Sequence, residues 1–454
     1  MSEEPKLRII IKDFRAIKFA DIILNGITVV AGINGCGKST ISKLLYRTVK
    51  TSIDFDKRVR ENLYLELRGV SHFLDELSRE LDYFYRENIE FRKELKNEFD
   101  LRYRFNRLFN FNEDGLKEQE NRILSAIDTF SKTFEELPKE YKKGDRFEKR
   151  FYRLERFFKE EFFEKEFDYE NIDILVIFEK LKENIKKGFE RAYLMIENRP
   201  IELLDNIIKD YFPEDIDERN YDIEELGALI TNRIDGKLSN FLTINKVAYI
   251  DTPMIIGVDN IGDTNIQHWE ELDILLKNKG DNINKKSKIG KILKDDIIDG
   301  EINYDNKNES FIYKRNDAFS IDLLSCATGL KSFSLLQILF NNGFFDDKTL
   351  LILDEPEAHL HPEWIVQYAR LVVMLHKEFK VKFLIGSHNP DMVMAIKYIA
   401  KKELQDSSLV NFYVAKNFDK YRFSFENSQN DIEPIFSSFN ASLDKINEFG
   451  ASEE

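Results

Sequence analysis

Cysteine is almost missing from this chain: there are two residues in 454, Cys36 and Cys326. That excludes a disulfide scaffold and points to a reducing, cytoplasmic setting. Long hydrophobic runs are missing too. No stretch approaches the roughly 18 apolar residues of a membrane span, and the opening Met1-Ser2-Glu3-Glu4-Pro5-Lys6 lacks the apolar core of a signal peptide. A soluble intracellular protein with no membrane partner is therefore expected. Positive charge is in deficit, with 68 Lys and Arg against 83 Asp and Glu and a net charge of −15. The molecule as a whole offers no attractive field to nucleic acid, and only a local basic patch could engage it. The length exceeds one ordinary core, and at about 150 residues per domain it suggests two or three compact units.

Glycine is sparse, at 19 residues, yet three of them fall in one short stretch, Gly32-Ile33-Asn34-Gly35-Cys36-Gly37-Lys38-Ser39-Thr40. This has the phosphate-binding form G-x-x-x-x-G-K-S/T. The apolar run Ile27-Thr28-Val29-Val30-Ala31 precedes it and a helical pattern from Ile41 to Val49 follows, the strand-loop-helix setting that the motif requires. With side chains kept away, backbone N–H groups from Gly32 through Thr40 and the helix start can cradle phosphate. Lys38 balances the β/γ charge, and Ser39 offers a hydroxyl to magnesium. A nucleoside triphosphate is the expected ligand.

Upstream, Leu7–Ile11 and Ile17–Leu24 read as strands, with Asn25-Gly26 as a tight turn into the loop's own strand. From about 52 to 240 glycine and proline thin out, charges of both signs crowd in, and apolar residues recur at three and four. Val70, Leu74, Leu77, Leu81 and Phe84 form one such stripe, Phe147, Phe151, Leu154, Phe158 and Phe162 a second, and Ile174, Phe178, Leu181, Ile185 and Phe189 a third. These are not clean Leu/Ile heptads, so packed helices with a hairpin arm are expected rather than a thin coiled coil. Asn112-Glu113-Asp114-Gly115 and Lys142-Lys143-Gly144-Asp145 are candidate hairpin tips. Strand character returns at Lys246–Asp251. Residues 275–308, rich in Lys, Asn and Asp, read as exposed loops, with turns at Asp299-Gly300 and Asn306-Lys307-Asn308 between short strands reaching Asp322. The expected organisation is an α/β head built from 1–51 and 241–454, interrupted by a helical insertion over 52–240.

Thr349-Leu350-Leu351-Ile352-Leu353 is an unbroken apolar run ending in Asp354-Glu355-Pro356, the pattern of a buried parallel strand that delivers carboxylates at its C-terminal end. Asp354 is placed to hold magnesium, and Glu355 to accept a proton from the water attacking the γ-phosphate. A third strand, Val381–Ile385, ends at Gly386-Ser387-His388-Asn389-Pro390, where His388 is the candidate γ-phosphate sensor. Between these lies Leu324-Ser325-Cys326-Ala327-Thr328-Gly329-Leu330-Lys331-Ser332, small residues opening a helix whose free N–H groups suit a phosphate.

The order of P-loop, small-residue helix start, Asp-Glu-Pro and terminal His resembles the ATPase heads of the ABC superfamily, in particular its SMC and overcoming-lysogenization-defect branches with a helical arm inserted in the head. The nearest likeness is to the AAA_15/AAA_21 group of prokaryotic ABC-type ATPases. It is carried by Ala327-Thr328-Gly329-Leu330-Lys331-Ser332-Phe333, by Asp354-Glu355-Pro356-Glu357-Ala358-His359-Leu360-His361-Pro362 and by Ser387-His388-Asn389-Pro390. The resemblance implies an ABC-type P-loop head that binds and hydrolyses ATP with Mg2+. It also implies two heads sandwiching two ATP molecules, so that Thr328 and Gly329 act on the nucleotide of another copy. Ala327 stands where the family's signature has Ser, and Leu330 where it has an acidic residue or Gln. His361 takes the usual Asp place of the D-loop, and Asp251 is a stand-in for the Q-loop glutamine. A closed pair would also set Cys36 opposite Cys326 of the second copy, a site for cross-linking.

Members of this group serve in bacterial anti-phage systems such as PARIS and Septu. Some relatives carry a fused nuclease of at least about 100 residues, whereas 66 residues follow His388, so any effector is expected to be a separate protein. The resemblance thus implies an ATP-gated sensor and scaffold, a homo-oligomer of dimers or higher order, that holds or releases an effector such as a nuclease. The alternative is an SMC-like DNA-binding or repair ATPase. A transporter subunit is a third reading, weakened by the inserted arm.

Overall fold

Alternation shapes the first strands. In β1 (Leu7–Phe14) the residues Leu7, Ile9 and Ile11 are buried and those between are not. β2 (Ile17–Leu24) pairs with it antiparallel, from Leu7 opposite Leu24 to Phe14 opposite Ile17. One face of this hairpin is dry. β3 (Ile27–Ala31), which leads into the P-loop, is buried at every position, as a strand covered on both faces must be. The computed structural model describes residues 7–87, 115–136, 174–212, 220–256, 258, 267–278, 287–404, 406–428, 433 and 448–450. The chain divides into two compact units, Met1–Ile53 with Pro200–Glu454, and Asp54–Arg199.

After β3 come α1 (Lys38–Ile53), α2 (Phe55–Glu87), α3 (Leu116–Glu136), α4 (Ile174–Asn198) and α5 (Glu202–Tyr211). Next are β4 (Tyr221–Glu225), β5 (Ala228–Leu229), β6 (Thr231–Asn232), β7 (Lys237–Leu238), β8 (Lys246–Ile250), α6 (Gln267–Lys277) and α7 (Lys288–Lys291). A meander of β9 (Gly300–Asp305), β10 (Ser310–Arg315) and β11 (Ser320–Asp322) precedes α8 (Thr328–Asn341) and β12 (Thr349–Asp354). The series closes with α9 (Pro362–Phe379), β13 (Lys382–Ser387), α10 (Pro390–Glu403), β14 (Val410–Asn417) and β15 (Phe423–Asn427).

The first unit is a mixed α/β body around one sheet of order β5-β4-β1-β2-β15-β14-β3-β13-β12-β8. From β14 to β8 the neighbours are all parallel, while β1, β2, β4 and β5 pair antiparallel. β15 joins the two halves, antiparallel to β14 and parallel to β2. The register puts Ser387 beside Ala31, Gly386 beside Asp354 and Ile250 beside Leu353. The C-terminal ends of β3, β13, β12 and β8 therefore form one edge, where an open α/β sheet binds its ligands. Every residue of β12 is buried, and Leu351 and Leu353 pack in a core with Phe333, Phe383, Ile385, Val372 and Met392.

Two expectations change. Residues 221–225, expected within the helical insertion, pair with β1 from Leu7 opposite Glu225 to Ile11 opposite Tyr221. The compact helical unit ends at Arg199. Glu225 disguises the strand: it is buried, and Leu242 N, Thr243 N and Thr243 Oγ1 donate to its carboxylate at 2.6, 3.0 and 2.6 Å, the satisfaction a buried charge needs. Residues 287–298, expected as exposed loop, form α7 and a π-helical stretch Ile292–Ile297, with Ile289, Ile292 and Leu293 buried. Their apolar spacing was masked by surrounding Lys and Asp.

The second unit, by itself, is helical in its described residues. Val70 and Leu74 of α2, Ile123, Ile127 and Phe130 of α3, and Phe178, Leu181, Ile185 and Phe189 of α4 are buried, which is the dry stripe their spacing dictates. Arg199 lies over the Phe55 ring at 4.3 Å and pairs with Asp56 at 3.3 Å. The side chains of Leu77, Leu81 and Phe84, the stripe from Phe147 to Phe162 and both expected hairpin tips, apart from Gly115, lie outside the described residues.

Candidate nucleotide site

The loop after β3 turns through Gly35 (φ 81°) and Gly37 (φ 107°) before α1 begins at Lys38. The free N–H groups of the loop and of the first turn of α1 form an anion cradle. Asn34, Gly35 and Ser39 are exposed, whereas Cys36, Lys38 and Thr40 are buried. Lys38 Nζ donates to Gly32 O at 2.9 Å and to Ile33 O at 3.1 Å, so the ammonium is folded back on the loop. Cys36 is 0% exposed and its Sγ lies against Gly32, where a Cβ would stand 2.8 Å away. Burial pushes its thiol up, away from the reactive thiolate. Only the Cys36 main chain can serve a ligand, and the expected cross-link to Cys326 of a second copy loses its basis.

Asp354 closes β12. Burial pushes its carboxyl up, opposed by hydrogen bonding from the Ser39 and Tyr249 hydroxyls. Tyr249, on β8, donates to Asp354 Oδ2 at 3.1 Å, while Oδ1 is buried with no hydrogen-bond partner. A bare buried carboxylate oxygen is costly. A hard divalent cation between it and the Ser39 hydroxyl would relieve that cost, so these two donors fit magnesium. Gly386 makes the room: a Cβ there would meet Asp354 Oδ1 at 2.6 Å and Lys38 Cβ at 3.5 Å.

Glu355 follows in left-handed backbone (φ 50°), with its N–H bonded to Gly386 O at 2.8 Å. Its Oε1 lies 3.7 Å from Lys38 Nζ and 3.2 Å from His388 Nδ1. The second approach is close enough for an ion pair, but its angles do not make a hydrogen bond. Lys38, Ser39, Asp354, Glu355 and His388, drawn from three separate motifs, thus meet at one sheet edge.

Sequence reasoning missed the residues that hold them. Glu357 is 4% exposed, and its Oε1 accepts from Ser387 Oγ at 2.7 Å and His388 N at 3.1 Å. It fixes the turn that presents His388. Burial pushes the Glu357 carboxyl up, and its Oε2 has no hydrogen-bond partner. Asp251 is gripped by His268 Nε2 and Trp269 Nε1, each at 2.9 Å. Burial alone would raise its carboxyl, but the His268 and Trp269 contacts outweigh it and leave it below the usual range. No local pattern marks Tyr249 or His268. Only the position of Glu357, three residues past Asp354 on a strand-end turn, could have hinted at its role.

The interactions of Thr328 and Gly329 run elsewhere, not to the P-loop. Ser332 Oγ donates to Thr328 O at 3.3 Å, and a Cβ on Gly329 would lie 3.0 Å from the Trp364 ring. Ala327 begins α8 with no side-chain cap, which leaves the N–H groups of the first turn available. His361 caps α9, its Nδ1 accepting from Glu363 N at 3.4 Å.

Three solved structures show how this chain compares with others. The Smc head domain with an extended coiled coil bound to the C-terminal domain of ScpA, from Pyrococcus furiosus, is 11% identical over 96% of this chain and 100% of its own, at a TM-score of 0.33. The SmcHead bound to the C-winged helix domain of ScpA is 11% identical over 94% and 98%, at 0.36. The SMC head domain from Thermotoga maritima is 12% identical over 46% and 64%, at 0.27. Among curated proteins none matches. The family described as AAA ATPase domain (AAA_15) matches residues 7–393, a span that holds the P-loop, Asp354, Glu355 and His388. The chain belongs to this AAA ATPase domain family.

Proposed function

We propose that this chain binds ATP at the P-loop and hydrolyses it when two copies meet, the start of α8 in each closing on the nucleotide of the other. The observation that carries the reading is the meeting of Lys38, Ser39, Asp354, Glu355 and His388 at the edge formed by β3, β13 and β12. Loop N–H groups hold the phosphates, and Lys38 exchanges the carbonyls of Gly32 and Ile33 for phosphate oxygens. Ser39 and Asp354 would hold magnesium, which would supply positive charge against the phosphate oxygens. Glu355 Oε1 accepts the proton of the attacking water, and His388, steadied through Glu357, hydrogen-bonds the γ-phosphate. With Ala327 in the signature's first place, the Thr328 hydroxyl and the first N–H groups of α8 are the groups that reach the second copy's phosphate.

The biological reading is an ATP-gated sensor and scaffold in anti-phage defence, holding or releasing a separate effector such as a nuclease. Its support is the motif set Ala327–Phe333, Asp354–Pro362 and Ser387–Pro390. Glu355→Gln tests both levels. The variant should keep ATP affinity, lose at least about a hundredfold in turnover and accumulate as closed dimers by light scattering. Hydrolysis at the parental rate would overturn the assignment of the base. Co-expressed with its genomic neighbours, the trapped protein should retain one of them. If it retains none and its oligomeric state ignores ATP, the scaffold reading fails. ATP-dependent, salt-sensitive DNA binding would favour the SMC-like alternative instead.

A further inference from the structure

The parallel strands have a second end, and a cavity lies there. Gly26 precedes β3, Lys348 precedes β12, Lys382 opens β13 and Leu409 precedes β14, and all four line one cavity of about 360 Å3. That is the size range of small-molecule sites, roughly 300–1,000 Å3. It sits at the N-terminal edge of the sheet, separated from the nucleotide by the length of β12, about 20 Å.

Its charge runs against that of the molecule. In a chain of net charge −15 the wall carries Lys348, Lys380 and Lys382 against one acid, Asp347. Lys382 Nζ is anchored by Asp347 O at 2.9 Å. Among the described residues neither the Lys348 nor the Lys380 ammonium pairs with an acid, although the Lys348 main-chain N–H donates to Asp346 Oδ1 at 3.0 Å. The C-terminal dipole of α9 would draw a cation to Lys380, which follows it, but Lys348 and Lys382 come from other elements and need another cause. Asn25 is also on the wall. Leu242 and Leu409 supply apolar wall for a carbon skeleton.

We propose that this cavity binds a small phosphorylated metabolite, its phosphate held by Lys348, Lys380 and Lys382 and its carbon skeleton against Leu242 and Leu409. The site is independent of the P-loop. Calorimetric titration of the full chain with ribose 5-phosphate and with inorganic phosphate tests it, using Lys38→Ala so that the P-loop does not take the probe. One saturable site per chain should appear for ribose 5-phosphate, at least tenfold tighter than for inorganic phosphate. It should weaken at least tenfold when Lys348→Glu and Lys380→Glu are added, two exposed changes whose folding is checked by thermal melting. The same loss in a chain with native Lys38 and ATP in excess separates the result from any folding defect of Lys38→Ala. No saturable binding, equal affinity for both probes, or binding indifferent to the two lysines would each overturn the proposal.

Discussion

Glu357 keeps a carboxylate where water does not reach, and the His388 turn depends on it. Ser387 Oγ and His388 N use one oxygen, and the other is bare. Burial raises its folded-state pKa above the ordinary 4.5. A raised carboxyl favours the protonated form in the folded state, so its contribution is fully present below pH 4.5 and is lost as pH rises through the folded value. Glu357→Gln cannot ionise. Its stability relative to the parent should therefore grow as pH climbs above 4.5 and level off once the parent's carboxyl is ionised. Urea unfolding of both proteins across that range measures it, and a difference flat in pH would mean that ionised Glu357 carries no penalty. Turnover sorts the two roles: Gln preserves the acceptor for His388 N, whereas Glu357→Ala removes it and should cost about tenfold or more in kcat.

Legibility at this scale followed chemistry. Lys38, Asp354, Glu355 and His388 could be named because each closes a strand or opens a helix beside glycine or proline. Tyr249 and His268 could not, because their partners come from distant segments and their own neighbours carry no pattern, and Glu357 was hinted at only by its place three residues past Asp354. Cys36 misled in the other direction. Its place in the loop suggested an approachable thiol, but the turn through Gly35 and Gly37 buries it against Gly32.

At the level of elements, β12 and β13 were readable because strands covered on both faces are written as apolar runs. β4 was not, since its two buried apolar residues, Tyr221 and Ile223, alternate with acids in an acidic stretch. Nor was the order β2-β15-β14-β3, which rests on pairing between the first and last strands. The start of α8 is a packing problem with a functional side. Gly329 rests on Trp364 of α9, whose ring also meets Phe333 at 5.4 Å, edge to face. Any side chain on Gly329 would press on the indole, and an indole removed would leave the first turn of α8 unsupported, at a cost of about 3 kcal/mol. Trp364→Ala should therefore reduce ATP-driven association and turnover by about tenfold or more, while single-chain nucleotide affinity stays within about twofold, because among the described residues no hydrogen bond or ring contact joins the P-loop to this pair. Parallel measurement of nucleotide binding and of turnover checks this. Unchanged turnover would detach α8 from the reaction.

For the whole molecule the question is whether one chain holds a complete site. Thr328 and Gly329 make their contacts within α8 and α9 rather than with the P-loop, so a site completed in trans must obey mass action. Lys38→Ala removes the cation proposed to bind phosphate, and Thr328→Arg places bulk and charge at the helix start. Each variant alone should be inactive. Mixed in equal amounts, half of the random pairs are heterodimers, and each joins the intact P-loop of one chain to the intact α8 of the other. One site in two is then whole, so about a quarter of the parental activity should return if the two sites act independently. Activity should also rise with total chain concentration until pairing is complete. If each chain completes its own site, mixing restores nothing, and turnover per chain is the same at every concentration. Recovery of activity by two inactive proteins has no explanation within a single chain, and that makes the mixture the sharper measurement.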